Sequence, residues 1–167
     1  FDLINDDFIV VMQHPVTTEY LDAGKQIQNT LIATSKIKMK KIFFWPNVDA
    51  GSESISLTIR KWREDNFYNL LNLSKCLVGN SSAGIRDAGY LGLPVVNIGT
   101  RQNAREHGIN VLHANNNYKD IYKKVLISTK KKYKKNYIYG DGNTAQRIVK
   151  ILRNIKKIEI QKKLSYK

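Results

Sequence analysis

Between two apolar stretches the chain reads Val78-Gly79-Asn80-Ser81-Ser82-Ala83-Gly84-Ile85, small and hydroxylated residues at a point where a strand would pass into a helix. The first N–H groups of a helix have no partner within it and lie at the positive end of its dipole, so such a turn suits a phosphate. Gly79 and Gly84 would let a ligand approach the backbone closely, and the hydroxyls of Ser81 and Ser82 would add donors. The same residues also describe an ordinary serine N-cap, and the loop alone does not choose between the two. Asp87, five residues past Ser82, could accept from sugar hydroxyls; a solvent-facing carboxylate beside Arg86 is the commoner fate of such a residue. His14, Asn47 and Arg101 each follow an expected strand. Ligands of open α/β sheets bind just beyond the carboxyl ends of the strands, so these positions would converge on one edge, where His14 becomes a ligand donor or general acid. His14, His107 and His113 have no Cys or carboxylate at a matching spacing, so neither a metal nor a cofactor is expected.

The elements that must carry these residues follow from the apolar runs. Phe8-Ile9-Val10-Val11-Met12-Gln13 is β-branched and is stopped by His14-Pro15, which reads as a buried strand. Thr17 and Thr18 offer N-cap hydroxyls with Glu19 in the first turn, and Leu21, Ile27, Leu31 and Ile32 approximate the apolar face of a helix through about Thr34. Lys40 to Trp45 is a second strand ended by Pro46. A helix is expected from Glu53 to about Glu64, another from Phe67 to Lys75, then a strand Cys76–Gly79 and a helix to Gly92. Strands at 94–99 and 110–112 follow, with helices Tyr118–Lys131 and Thr144–Ile158, the last strongly amphipathic. Strand, helix and strand in succession make a parallel α/β sheet. The alternation fails once, between Trp62 and Phe67, where one helix meets the next and a strand is due. A break in the chain there, with Cα spacing well beyond the 3.8 Å of a trans peptide, is the expectation, in preference to a true deletion.

Composition agrees with a globular chain. Of 167 residues 42% are hydrophobic, with only 10 Gly and 3 Pro, which excludes disordered and collagen-like classes and is enough for one domain or half of a larger protein. No stretch reaches the roughly 20 apolar residues of a membrane-spanning helix, and acids occupy the start, beginning at Phe1, where a signal peptide would carry bases. A soluble, cytoplasmic protein without a membrane partner is expected. The single cysteine, Cys76, cannot form an internal disulfide and reads as a buried small hydrophobe. The net charge of +14 raises nucleic-acid binding, yet fifteen of the Lys and Arg residues lie from Lys123 onward against only Asp141 and Glu159. The excess thus sits in the run Lys130 to Lys135 and in the tail from Lys150, which read as solvated surface. A basic nucleic-acid-binding module is the lower-ranked alternative; a salt-dependent gel shift would favour it.

Five strings of the chain, in order, carry a resemblance. Gln13-His14-Pro15-Val16-Thr17-Thr18-Glu19, Pro46-Asn47-Val48-Asp49-Ala50-Gly51-Ser52, Gly79-Asn80-Ser81-Ser82-Ala83-Gly84-Ile85-Arg86, Val96-Asn97-Ile98-Gly99-Thr100-Arg101-Gln102 and Ile138-Tyr139-Gly140-Asp141-Gly142-Asn143 closely resemble the hydrolysing UDP-N-acetylglucosamine 2-epimerases of sialic-acid and related nonulosonate synthesis. The resemblance implies a Rossmann-like three-layer α/β parallel sheet, the C-terminal domain of a glycosyltransferase-B-like two-domain fold. Residues 1–142 would be the nucleotide-binding domain and 143–167 a C-terminal helix and basic tail, with the N-terminal domain that carries the proton-transfer carboxylates absent from this chain. Carried over by motif position, Ser81 and Ser82 would hold the diphosphate of a UDP-sugar, Arg101 would contact it, Asn47 would contact the nucleotide, and His14 matches the active-site histidine beside the phosphates. Asp87 stands where the family has a ribose-binding Glu, one methylene shorter, so that a helix shift or a bridging water would complete the contact. The implied reaction is anti elimination of UDP across C1–C2 followed by syn addition of water to the glycal. The implied partners are the UDP-sugar, the absent domain and further copies in a homo-oligomer. Relatives also carry about a dozen more residues between the positions of Trp62 and Phe67, forming a strand and a loop near the base. A non-hydrolysing epimerase or a glycosyltransferase of the same fold is the alternative enzyme; the His-Pro-Val-Thr and Asn-Ile-Gly-Thr-Arg-Gln strings favour the hydrolysing branch.

Overall fold

A computed structural model describes residues 7–44 and 67–155 of the chain. Five parallel strands, β1 (Phe8–Met12), β2 (Lys40–Phe44), β3 (Cys76–Gly79), β4 (Val95–Ile98) and β5 (Val111–Ala114), form one sheet in the order β2-β1-β3-β4-β5. Every expected strand within the described residues is present. The three central strands are the most apolar because helices cover both their faces, while at the ends of the order β2 has only half-buried and exposed positions and β5 mixes buried and exposed ones. Alternation along each strand sorts the core into two layers. Ile9, Val11, Cys76, Val78, Val96 and Ile98 face the helices α1 (Ala23–Ser35) and α5 (Tyr118–Ser128). Phe8, Val10, Leu77 and Val95 face the helical residues 67–73 (α2) and the short helices α3 (Ser82–Arg86) and α4 (Ala88–Leu91). The result is the three-layer parallel α/β architecture read from the sequence. Cys76 is fully buried, and burial pushes its thiol up to about 12, so it behaves as core.

Two helices differ from expectation for identifiable reasons. Residues Thr17–Asp22 form a 3₁₀ stretch interrupted at Glu19, whose φ of −128° is not helical, and α1 begins only at Ala23. The Thr17 and Thr18 hydroxyls therefore do not cap α1, and Glu19 is turned toward a different partner. The apolar face assigned to this helix is also corrected. Leu21 is 84% exposed and Leu31 and Ile32 face outward, whereas Gln26, Thr30, Ala33 and Thr34 are buried. Small and hydrogen-bonded side chains let α1 lie close to the sheet and α5: Thr34 Oγ1 donates to the Thr30 carbonyl at 2.8 Å and Thr30 Oγ1 to Gln13 Oε1 at 2.6 Å. The outward apolar residues Ile27 and Leu31 line, with Phe43 and Phe44, a groove of about 540 Å³ beside β2. The single helix expected from the phosphate-like turn to Gly92 is two, α3 and α4, joined at Asp87. Gly92, at φ 68°, ends the second with its N–H on Ala88 and Gly89 carbonyls.

A sixth helix, α6 (Thr144–Asn154), follows the turn at Gly140–Gly142 and buries none of its residues. The helix expected over 53–64 and the strand or chain break expected between Trp62 and Phe67 fall outside the described residues.

Candidate functional site

The chain runs from β1 outward to β2 and then returns to the other side of β1 as β3, so the direction of winding reverses between β1 and β3. A crevice opens at the carboxyl ends of the strands at such a switch point and is where open α/β sheets bind ligands. Met12 pairs with Gly79 at the end of the two ladders, which places His14 and the turn Asn80–Ser82 on its two lips. Asn80 is buried and joins the lips. Its Oδ1 accepts from the His14 N–H at 2.7 Å and its Nδ2 donates to the His14 carbonyl at 2.8 Å. Its own N–H donates to the Met12 carbonyl at 3.2 Å. Its carbonyl accepts from Arg101 at 3.1 Å and from Gln102 Nε2 at 2.7 Å. Three strand ends, those of β1, β3 and β4, thus meet at one residue.

The turn itself is a serine-capped helix start. Ser81, extended at φ −68° and ψ 143°, accepts the Ala83 N–H on its hydroxyl oxygen at 3.3 Å, leaving its hydroxyl proton as a donor. Ser82 is half-buried at the first helical position. The protein's own packing requires both glycines. A Cβ on Gly79, at φ 139°, would lie 2.0 Å from the Met12 carbonyl oxygen, and one on Gly84 would lie 2.9 Å from the Val95 side chain. They let β3 approach β1 and α3 approach β4.

Past the end of β4 Arg101 is exposed, and the bond to Asn80 uses one of the five N–H donors of its guanidinium. Gln102 beside it is buried, with its Oε1 lacking a hydrogen-bond partner. Burial, and after it the positive charge of Arg101, hold the His14 imidazole below its usual range, so it is neutral near pH 7. An anion bound beside His14 would favour its protonated form. Glu19 completes the frame: its carboxylate accepts from the Thr100 hydroxyl and, at 2.7 Å, from Gln26 Nε2, tying the loop before Arg101 to α1.

Asp87 sits half-buried at the junction of α3 and α4 and is not unpaired. Burial raises its carboxyl above the ordinary range, against the opposing pull of Arg86 and a hydrogen bond from Tyr68. Asn47 lies outside the described residues. The structure therefore brings together His14, Ser81, Ser82 and Arg101 and adds Asn80, Gln102, Glu19 and Thr100, which the sequence reading did not assign. Asn80 lies within the Gly79–Arg86 motif, and nothing in that motif signals its contact with His14, 66 residues earlier. Among the described residues no three His, Cys, Asp or Glu side chains converge as metal ligands. His107 and His113 do meet, Nε2 to Nε2 at 2.9 Å, with Asn97 on the far nitrogen of His113.

The family model of UDP-N-acetylglucosamine 2-epimerases matches residues 2–153. The chain belongs to that family. It is 33% identical over 133 residues to the UDP-N-acetylglucosamine 2-epimerase of Neisseria meningitidis serogroup B, covering 73% of this chain and 35% of the relative. It is 31% identical over 159 residues to the hydrolysing UDP-N,N′-diacetylbacillosamine 2-epimerase of Legionella pneumophila, covering 87% of this chain and 42% of that protein. Among solved structures, the UDP-GlcNAc 2-epimerase of Methanocaldococcus jannaschii superposes with a TM-score of 0.59 at 17% identity, covering 90% of this chain and 46% of that one. A putative UDP-N-acetylglucosamine 2-epimerase from Listeria monocytogenes gives 0.62 at 17% identity over 90% and 45%. The fold is thus shared with epimerases of the glycosyltransferase-B type, and this epimerase-family chain spans less than half the length of these relatives. No described helix is long and apolar enough to cross a membrane.

Proposed function

We propose that this chain is the UDP-binding half of a hydrolysing 2-epimerase that acts on UDP-N-acetylglucosamine or its N,N′-diacetylbacillosamine counterpart. The observation that carries the reading is the meeting of His14, Ser81 and Arg101 around Asn80 at the switch point of the sheet. In the reaction a base takes the proton from C2 of the sugar, the C1–O bond breaks with its electron pair leaving on UDP, and water adds across the resulting double bond. The task of this half is the leaving group. Donors fixed in place around the β-phosphate stabilise the charge that develops as C1–O lengthens, and they need no rearrangement at that moment. Arg101 supplies a permanent positive charge, Ser81 a hydroxyl donor, and His14 a proton to the departing phosphate oxygen. Asp87 approaches the ribose from the junction of α3 and α4, and Asn47 contributes to the nucleotide contact.

The carboxylates that move the C2 proton belong to a preceding domain, and α6 packs its apolar face on that domain. By this reading the chain alone holds UDP without turning over substrate. Replacing Arg101 with Ala in the full-length enzyme weakens UDP binding by roughly 1.5–3 kcal/mol, the range of a charge-assisted hydrogen bond. Calorimetry that returns an unchanged affinity sinks the assignment.

A further inference from the structure

After Met12 and Gly79 the ladder between β1 and β3 ends, because β3 must turn away to make the Asn80–Ser82 turn while β1 continues to His14. Without a substitute partner the His14 backbone would be left with an unpaired N–H and carbonyl at a partly buried position. The side-chain amide of Asn80 supplies that partner. It presents one acceptor and one donor in the same plane, and it meets His14 N–H at 2.7 Å and His14 C=O at 2.8 Å, as another strand's peptide group would. No other side chain offers this pair at that length except a Gln, whose extra methylene would displace it. Asn80 is in turn immobilised through its carbonyl by Arg101 and Gln102 and through its N–H by Met12. It also immediately precedes Ser81, the cap of the turn. Displacement of the turn would therefore be passed directly to His14.

We propose that Asn80 is the positioning residue for His14, its amide locking the His14 backbone to the Asn80–Ser82 turn so that imidazole and turn address one leaving group together. This rests on the reading of the edge as a nucleoside-diphosphate site. The test is a double-mutant cycle in the full-length enzyme, with UDP-N-acetylglucosamine and UDP-N,N′-diacetylbacillosamine as substrates and UDP binding measured in parallel. Asn80→Ala lowers kcat on the order of 10- to 100-fold, the scale of an ångström-level misplacement, with a much smaller change in KM. Because it acts through His14, Asn80→Ala added to His14→Ala produces no further loss. Asn80→Asp, which keeps the acceptor for His14 N–H and loses the donor, gives a second cycle if the alanine variant does not fold, with the same non-additivity. Losses that multiply in the double variant, or an Asn80 variant with wild-type kcat, overturn the proposal while UDP binding by the wild type leaves the nucleotide reading standing. A wild type that binds no UDP overturns both.

Discussion

The switch point and α6 were equally conspicuous as sequence, and the structure treats them in opposite ways. At the switch point, residues 12–14, 79–82 and 100–102 are short stretches and individually unremarkable, yet hydrogen bonds between residues distant in the chain tie them together. In α6 the apolar residues recur at helical spacing, and none is buried: Ile151 is 62% and Leu152 58% exposed. Residues 12–14 and 79–82 are tied to one another within this chain, whereas α6 presents an apolar stripe that the described residues do not cover. A contiguous stripe of this kind marks a contact surface. Local pattern strength therefore says what element forms and nothing about where its partner lies.

The largest test of the contrast is Gly79→Ala. Both the left-handed φ and the 2.0 Å approach to the Met12 oxygen forbid a side chain, so about 3–5 kcal/mol of stability should be lost in chemical denaturation. A wild-type midpoint would mean that the strands can separate there and that the switch point is not rigid. Next, Ile151→Gln and Leu152→Gln in α6 should each change the stability of this chain by less than about 0.5 kcal/mol, as for exposed positions. In the full-length enzyme each should cost roughly 1.5–3 kcal/mol, the value of a buried aliphatic side chain. Equal, small effects in both would remove the packing of α6 on another domain.

The smallest expected effect is a proton. His14 in the free protein has its pKa lowered by burial and by Arg101, and a bound diphosphate, being anionic, raises it. The complex then holds more protons than the free protein, so UDP affinity rises as pH falls through the window between the bound value and the depressed free value. The gain is less than about tenfold per pH unit. Calorimetry in buffers of different ionisation enthalpy should show proton uptake beyond that of UDP itself, and His14→Gln should abolish that excess. An excess that persists in the variant takes His14 out of the site.

The parts of the fold that could be read from residues alone share one property: they are decided by local pattern. Phe8–Met12, Cys76–Gly79 and Val95–Ile98 are continuous apolar runs because both faces of a central parallel strand are covered. Gly92 ended its helix as its type requires. Where the reading failed, a distant contact had overridden the pattern. Leu21, Leu31 and Ile32 looked like a core face, but α1 buries Gln26 and Thr30 instead, because Glu19 accepts from Gln26 and Gln13 accepts from Thr30, which makes those polar groups tolerable inside. Asp87 read locally as a solvent carboxylate, and it is half-buried at the junction of α3 and α4 with a hydrogen bond from Tyr68, surroundings that no local pattern announces.

The five ordered strings determined the family, and the apolar runs determined a parallel α/β sheet, since residue type and spacing act over a few positions along the chain. The sheet order, and with it the placing of the reversal between β1 and β3, was decided only in three dimensions. So was the meeting of His14 with Asn80 and of Glu19 with Thr100, because hydrogen bonds between residues 66 and 81 apart leave no local signature in sequence.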